Sequence, residues 1–409
     1  MSKKIFLSFW LVFCLPFTVF AQYFYTPPLL VPCASNAPEI VSVSAVLIDA
    51  QTGALLYSKN PDEEISPASL TKLMTLHLLM KEIEEGRASY DEIIPITGKS
   101  WAQSQPPRSS LMFLAPGQTV TLREIMMGLA IPSGNDAAMA AALRFAPSME
   151  DFAVLMTEEA RRMGLAVTRF TEASGISEYN MTTAAEFAFF CRQYIKLHPQ
   201  SLKDFHSVPV FSYPLADNVP PALRGNPQTI TQYNRNSLLK TFPGVDGLKT
   251  GYIDEAGYNI ALTAQRNSTR FIAVILGAPA NPGGSRIRDE DSTRLLTWAF
   301  ENFKTVRPVI NMIENVRLWK GKANSAELQL SQSADFTSPV GRADNLWYEI
   351  IIPKPLTAPL TAGAHAGWLV FYDEHGELSR TPLVTARPYA KGNIFKRLWH
   401  SILLLFNKR

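Results

Sequence analysis

Cysteine is scarce in this 409-residue chain: there are three, and no two form a C-x-x-C pair. A Cys-rich zinc site and a dense disulfide scaffold are therefore excluded. Histidine is scarce too, at six, and no H-E-x-x-H occurs, which removes the zinc-peptidase helix. No G-x-S-x-G is present, so the nucleophile turn of the α/β-hydrolases is missing. Gly98-Lys99-Ser100 ends like a phosphate loop, but position 93 is Ile where that loop needs glycine. Neither charge sign is in excess, with 39 Lys and Arg against 36 Asp and Glu. A nucleic-acid footprint needs a clear basic surplus, so no nucleic-acid partner is expected. No internal repeat or low-complexity run is visible, and no metal or other cofactor is called for by any residue cluster.

What the chain does have is apolar mass. Hydrophobic residues make up 46% and charged residues 18%, enough to bury real cores over two or three domains. Residues 1–21 read as a secretory signal peptide: Lys3 and Lys4 precede an apolar stretch interrupted by Pro16, and Val19-Phe20-Ala21 offers a cleavage site. The expected destination is the periplasmic face of the inner membrane. Cys14 leaves with the leader. Cys33 and Cys191 remain, and a disulfide between them or two free thiols both stay open. Residues 22–38, rich in proline and aromatics, form an extended lead-in.

Residues 41–48 and 55–59 predict a strand pair around the turn Asp49-Ala50-Gln51-Thr52-Gly53. From Ser69 the apolar period becomes helical and stops at Gly86. Residues 122–198 read as mostly helical, with Thr182 or Thr183 capping the last helix. Strands return at 258–265 and 270–276, and residues 292–302 are helical again. One sheet completed by both ends of a domain, with a helical insert, is the expected architecture over residues 39–305. Residues 306–389 change texture: short strands at 318–330, 347–352 and 368–372 predict a small all-β sandwich. In the tail, residues 390–409, Phe395, Leu398, Trp399, Ile402, Leu403 and Phe406 share one helical face beside Lys396, Arg397, Lys408 and Arg409. Its longest apolar run, 402–406, is far too short to cross a bilayer. The pattern predicts an amphipathic helix lying on a membrane surface through residues 393–409; the competing expectation is a helix docked on the β domain.

Three short motifs carry the chemistry. Ser69-Leu70-Thr71-Lys72 puts an amine one helical turn from a hydroxyl. A neutral lysine there can take the serine proton and make the oxygen a nucleophile. Ser133-Gly134-Asn135 follows an apolar run and precedes helix formers; Ser133 can relay a proton, and Asn135 offers an amide donor and acceptor. Lys249-Thr250-Gly251 sits on an expected strand. Lys249 and Thr250 can bind a carboxylate, Gly251 can admit a substrate along the strand, and a second ammonium raises the cost of charging Lys72. Each motif alone occurs by chance; a helix-starting Ser is usually just a cap.

Together and in this order they resemble the active-site serine penicillin-recognising enzymes. Pro67-Ala68-Ser69-Leu70-Thr71-Lys72-Leu73-Met74-Thr75, Pro243-Gly244-Val245-Asp246-Gly247-Leu248-Lys249-Thr250-Gly251-Tyr252 and Glu255-Ala256-Gly257-Tyr258-Asn259 are similar to the serine-type D-alanyl-D-alanine carboxypeptidases among the low-molecular-mass penicillin-binding proteins. The resemblance implies an α+β catalytic domain of the penicillin-binding and β-lactamase type, an all-β second domain and the tail helix. It implies Ser69 as acylated nucleophile, Lys72 as general base, Ser133 and Asn135 in proton transfer and amide binding, and Lys249 and Thr250 on the substrate terminus. The backbone N–H groups of Ser69 and Tyr252 would form the oxyanion hole; some members have His at the position of Tyr252. Arg288, or else Arg286, would help hold the terminal carboxylate. The implied partners are peptidoglycan stem peptides and, as covalent inhibitors, β-lactams. An endopeptidase of the same fold, a β-lactamase and a catalytically silent peptidoglycan scaffold are the competing functions.

Overall fold

The computed structural model describes residues 30–31, 36–310, 313–342 and 345–406. The expected leader, Cys33, most of the lead-in, Lys408 and Arg409 lie outside the described residues.

Two apolar segments open the fold as β1 (Ser44–Asp49) and β2 (Leu55–Lys59). Three more strands come from much later in the chain: β3 (Val245–Ile253), β4 (Gly257–Arg266) and β5 (Thr269–Ala278). They form one antiparallel sheet in the order β2-β1-β5-β4-β3. All six residues of β1 are buried, because both faces of the sheet are covered. Alternation then sends Val46, Ile48, Ile272 and Val274 to one core and Ala45, Leu47, Phe271 and Ala273 to another.

The first core is closed by α1 (Lys72–Glu84), α2 (Leu122–Ala130), α3 (Asn135–Phe145), α4 (Met149–Arg162) and α5 (Ala184–Leu197). The alanines of α3 at 137, 138, 140, 141 and 142 are all buried; side chains this small let neighbouring helices approach it closely. The second core is closed by α6 (Gly284–Asn302) through Leu295, Leu296 and Trp298. The sheet completed by both ends of the domain, with a helical insert between, is as expected. Local signals set the helix ends. Gly86 has φ +73° and Arg87 N donates to Glu82 O at 2.9 Å, closing α1 in a left-handed cap. Thr121 and Glu124 form a capping box on α2, and Thr183, rather than Thr182, caps α5.

Two expectations need correction. α6 starts at Gly284, eight residues before 292, because its first two turns are too polar to show an apolar period. The stretch 122–198 is mostly helical as expected, in α2 to α5, with a non-helical segment between Gly164, which ends α4 with φ +86°, and Thr183. The strand expected over 318–330 is two strands, Ile313–Arg317 and Ser325–Leu330, separated by a turn.

The second domain is all β. Ile313–Arg317, Ser325–Leu330, Gly376–Thr385, His365–Asp373 and Trp347–Ile351 lie side by side in that order. Phe303–Val306 pairs with Phe336–Pro339 in a second, two-stranded sheet, so pairing begins before residue 306. Leu328, Phe336, Leu369, Phe371 and Leu383 fill the core. At the junction, Asp49 Oδ2 accepts hydroxyls from Thr305 at 2.7 Å and Thr337 at 2.9 Å.

The tail forms α7 (Ile394–Phe406). It touches the β domain through polar side chains. His400 Nδ1 accepts from Lys320 N at 2.8 Å, its ring packs on Trp319, and Lys396 Nζ donates to Asn324 Oδ1 at 2.7 Å. Phe395, Leu398, Trp399, Ile402, Leu405 and Phe406 remain exposed. No described helix is long and apolar enough to cross a membrane.

Candidate active site

The first motif sits where a tight turn of 3₁₀ helix, Ala68–Thr71, runs into α1. Ala68, buried and immediately before the serine, has φ +49°, a left-handed backbone that costs an L-residue roughly 1–2 kcal/mol. Two glycines press on it. A Cβ on Gly175 would stand 1.9 Å from Ala68 O, and one on Gly251 would stand 2.8 Å from Pro67 O and 3.0 Å from Ser69 N. The bare side of Gly251 thus accommodates the Ser69 turn. This close fit sets β3, with Tyr252 next in sequence, against the serine's backbone.

Lys72 is wholly buried. Its Nζ lies 3.1 Å from Ser69 Oγ, 2.8 Å from Asn135 Oδ1 and 2.5 Å from Ser174 O. Two of these three partners are carbonyl oxygens, which can only accept. A neutral amine has two N–H groups for them and one lone pair left for the Ser69 hydroxyl. Burial draws Lys72 down to about 7, opposed by Glu172 and Asp136 and helped by Arg235.

Asn135 opens α3 and also donates to Ser109 Oγ at 3.3 Å. Ser133 is buried in the left-handed region, φ +67°, and its hydroxyl has no partner among the described residues. It makes no hydrogen bond to Lys72. On β3, Lys249 and Thr250 are buried, and Lys249 Nζ donates to Thr250 O at 3.1 Å. Lys249 is pushed well below the ordinary lysine range, by burial first, then by Lys72, Arg235 and Arg288. The repulsion between the two ammonium groups therefore weighs on Lys249, while Lys72 owes its shift chiefly to burial. Arg288 is buried on α6 and pairs with Asp289 at 2.7 Å; Arg286 points to solvent, 3.6 Å from Glu290. Lys249 and Arg235 have no carboxylate ion-pair partner among the described residues and donate only to backbone carbonyls, so an incoming anion would supply counter-charge there. A cleft of 340 Å³ opens in front, lined by Ser69, Ser109, Asn135, Gly175, Tyr252 and Asp254 among others.

Such an arrangement makes a serine oxygen nucleophilic beside an anion-hungry pocket. Residues 32–280 match the D-alanyl-D-alanine carboxypeptidase family, and residues 303–391 match the penicillin-binding protein 5 C-terminal domain. The chain belongs to the D-alanyl-D-alanine carboxypeptidase family. The carboxypeptidase is 33% identical to D-alanyl-D-alanine carboxypeptidase DacD of Escherichia coli, over 90% of this chain and 92% of that one. Among solved structures it resembles penicillin-binding protein 5 from Haemophilus influenzae, with a TM-score of 0.78 at 28% identity, covering 87% of this chain and 100% of that one. Penicillin-binding protein D2 from Listeria monocytogenes in its ampicillin-bound form matches with a TM-score of 0.54 at 26% identity, over 64% of this chain and 98% of that one.

The carboxypeptidase has site residues that sequence reasoning missed. Glu172 accepts N–H groups from Ser174 and Gly175 at 2.6 Å each and from Asn180 Nδ2 at 2.8 Å; it shapes the loop whose Ser174 carbonyl holds Lys72. Asp136 accepts the N–H groups of Met112, Phe113 and Leu114 and so fixes the wall beyond Ser109. Arg235 Nε donates to Pro132 O at 2.9 Å, bracing the second motif from behind. The signal available for Glu172 was the turn-rich Thr171-Glu172-Ala173-Ser174-Gly175 inside an otherwise helical stretch. His77 is buried and hydrogen-bonds to His198 at 2.8 Å and to Glu159 at 2.9 Å. Cys191 is buried with a free thiol.

Proposed function

We propose that the protein removes the terminal D-alanine from peptidoglycan pentapeptide stems through an acyl-enzyme on Ser69, and that β-lactams acylate the same oxygen. The observation that carries this is the pair of carbonyl acceptors on Lys72, which leaves its lone pair for Ser69. Neutral Lys72 takes the hydroxyl proton as Oγ attacks the penultimate D-alanyl carbonyl. The C–N bond then breaks, the departing amine collects a proton, and free D-alanine leaves. Water cleaves the ester in the second half and regenerates the serine. The backbone N–H groups of Ser69 and Tyr252 are assigned to the oxyanion. Lys249, Thr250 and Arg288 are assigned to the terminal carboxylate, Asn135 to the substrate amide, and Ser133 to passing a proton toward the leaving amine. The ampicillin-bound relative supports the β-lactam reading.

Incubation with a pentapeptide muropeptide should give a product lighter by one alanine. A β-lactam adduct should map by peptide mass to Ser69 and vanish in Ser69→Ala. An adduct on any other residue would sink the mechanism.

For the site of action, the two chain ends motivate a further assignment. We assign residues 1–21 to export and α7 to the surface of the inner membrane on its periplasmic side. Supporting this, α7 spends its polar residues His400 and Lys396 on the β domain and leaves its large apolar side chains uncovered.

A further inference from the structure

Two buried histidines lie outside the catalytic machinery. His77 is on α1 and His198 follows α5; both are buried, and their rings meet with centroids 5.0 Å apart. They form the middle of a chain of three hydrogen bonds. His77 Nε2 lies 2.9 Å from Glu159 Oε1 on α4, and His77 Nδ1 lies 2.8 Å from His198 Nε2. His198 Nδ1 lies 2.7 Å from Oε1 of Glu84, the last residue of α1. Each of these bonds needs one hydrogen. Glu159 only accepts: burial would raise it, but His77, Arg162 and Lys81 outweigh burial and hold it well below the ordinary carboxylate range. The Glu84 side chain is 54% exposed, and a carboxylate open to water is ionised at neutral pH, so it accepts too.

His77 Nε2 and His198 Nδ1 must therefore both carry hydrogen. A neutral imidazole has only one N–H, so two neutral rings would have none left for the contact between them. Bare lone pairs would then face each other at 2.8 Å. A third hydrogen turns that repulsion into a hydrogen bond. We infer that His77 and His198 share one extra proton, and that the pair is a pH-sensitive latch fastening the second half of α1 to α4 and to the end of α5. The charges around it fit one proton. Glu159 and Glu84 flank the pair, and Lys81 and Arg162 lie against Glu159. Tyr194 packs on the His198 ring but turns its hydroxyl to His206. A second extra proton is refused: burial first, then His77, holds His198 below the ordinary histidine range, against Glu84 and Glu159. An unfolded histidine titrates near 6.5. Above that pH the unfolded chain has lost both ring protons while the native pair keeps one. The pair's contribution to stability therefore falls as pH rises, by about tenfold in the folding equilibrium per pH unit, until the proton leaves. On release the lone pairs repel, the rings part, and the second half of α1 loosens.

The test compares the full chain with His198→Gln. The glutamine amide has two N–H groups, one for His77 and one for Glu84, so the chain of bonds closes with no extra proton. With histidine nitrogens labelled with 15N, NMR at about pH 7.5 should show three protonated ring nitrogens among the four of the wild-type pair, and one of two at His77 in the variant. Two unprotonated nitrogens in the wild-type pair would overturn the shared proton. Urea unfolding from pH 7 upward gives the second readout. The folding equilibrium of the wild type should fall relative to His198→Gln by about tenfold per pH unit before levelling off; parallel curves would overturn the proposal. Hydrogen exchange gives the third. Once corrected for intrinsic pH dependence, protection over residues 79–86 should drop with rising pH in the wild type and hold in the variant; equal protection in both would overturn the latch. Fluorescent penicillin labelling counts folded protein in every preparation. Should His198→Gln fail to fold, His77→Gln takes its place with the same expectations, and the ring nitrogens of the wild type decide the proton by themselves.

Discussion

At the scale of single residues, the site turns on whether Lys72 holds a proton. Burial places it near 7, and only the neutral amine can accept from Ser69. The acylation rate should therefore climb with pH through about 7 and level off above, a profile readable with a chromogenic cephalosporin. A rate that falls over this interval would exclude Lys72 as the base. Lys72→Arg cannot lose its charge near neutral pH, so acylation should drop by roughly two to four orders of magnitude. Gly251→Ala tests the packing of the serine turn. Its methyl would meet Pro67 O at 2.8 Å, a backbone atom that cannot swing aside, and overpacking of this kind costs about 1–3 kcal/mol. Slower penicillin labelling together with a lower melting temperature is the expected pair of results. Ser69, Lys72, Asn135 and Lys249 were legible in the sequence because each lies in a local motif whose spacing expresses a geometry. Glu172, Asp136 and Arg235 were not, since each acts alone across a long loop. The Ser174 carbonyl that polarises Lys72 belongs to the backbone and leaves no mark in residue type.

Elements were readable where one physical signal dominated. Near-continuous apolar runs gave β4 and β5, and the apolar period with Gly86 gave α1. No period marks the non-helical segment between α4 and α5, which Glu172 organises through its hydrogen bonds. Buried histidines link the elements in ways no period announces. His206 sits against β3, its Nδ1 3.1 Å from Leu248 O and its Nε2 2.8 Å from the Tyr194 hydroxyl. Burial, with Lys249 nearby and Leu248 O opposing, depresses it to about 3. An unfolded histidine titrates near 6.5. Below that pH the unfolded chain binds a proton that the native chain refuses, so stability should fall as pH drops from about 6.5 toward 3. One such proton is worth about 1.4 kcal/mol per pH unit. Urea midpoints measured across this range should show that slope, and His206→Gln should flatten it; an equal slope in the variant would assign the effect to another group.

For the molecule as a whole, the sequence conveyed two domains and a tail but not how they touch. Polar docking of α7 through His400 was invisible, because the same helix can be drawn with either face inward. Its exposed apolar face offers a test that leaves folding alone. Leu398→Asp with Ile402→Asp should move the protein from the membrane fraction to the soluble envelope fraction, since each buried apolar side chain is worth up to about 1.5–3 kcal/mol. Unchanged partitioning would retire the membrane assignment. The junction at Asp49 has a different kind of consequence. That carboxylate is fully buried, and two of its donors, Thr305 and Thr337, come from strands that pair with each other. A catalytic half cut free before Phe303 would keep its nucleophile but leave this carboxylate short of donors. Grafting a relative's second half onto this catalytic half would then succeed only where hydroxyl-bearing residues recur at those two positions, which makes the pair less a string of interchangeable modules than a lock with one matching key.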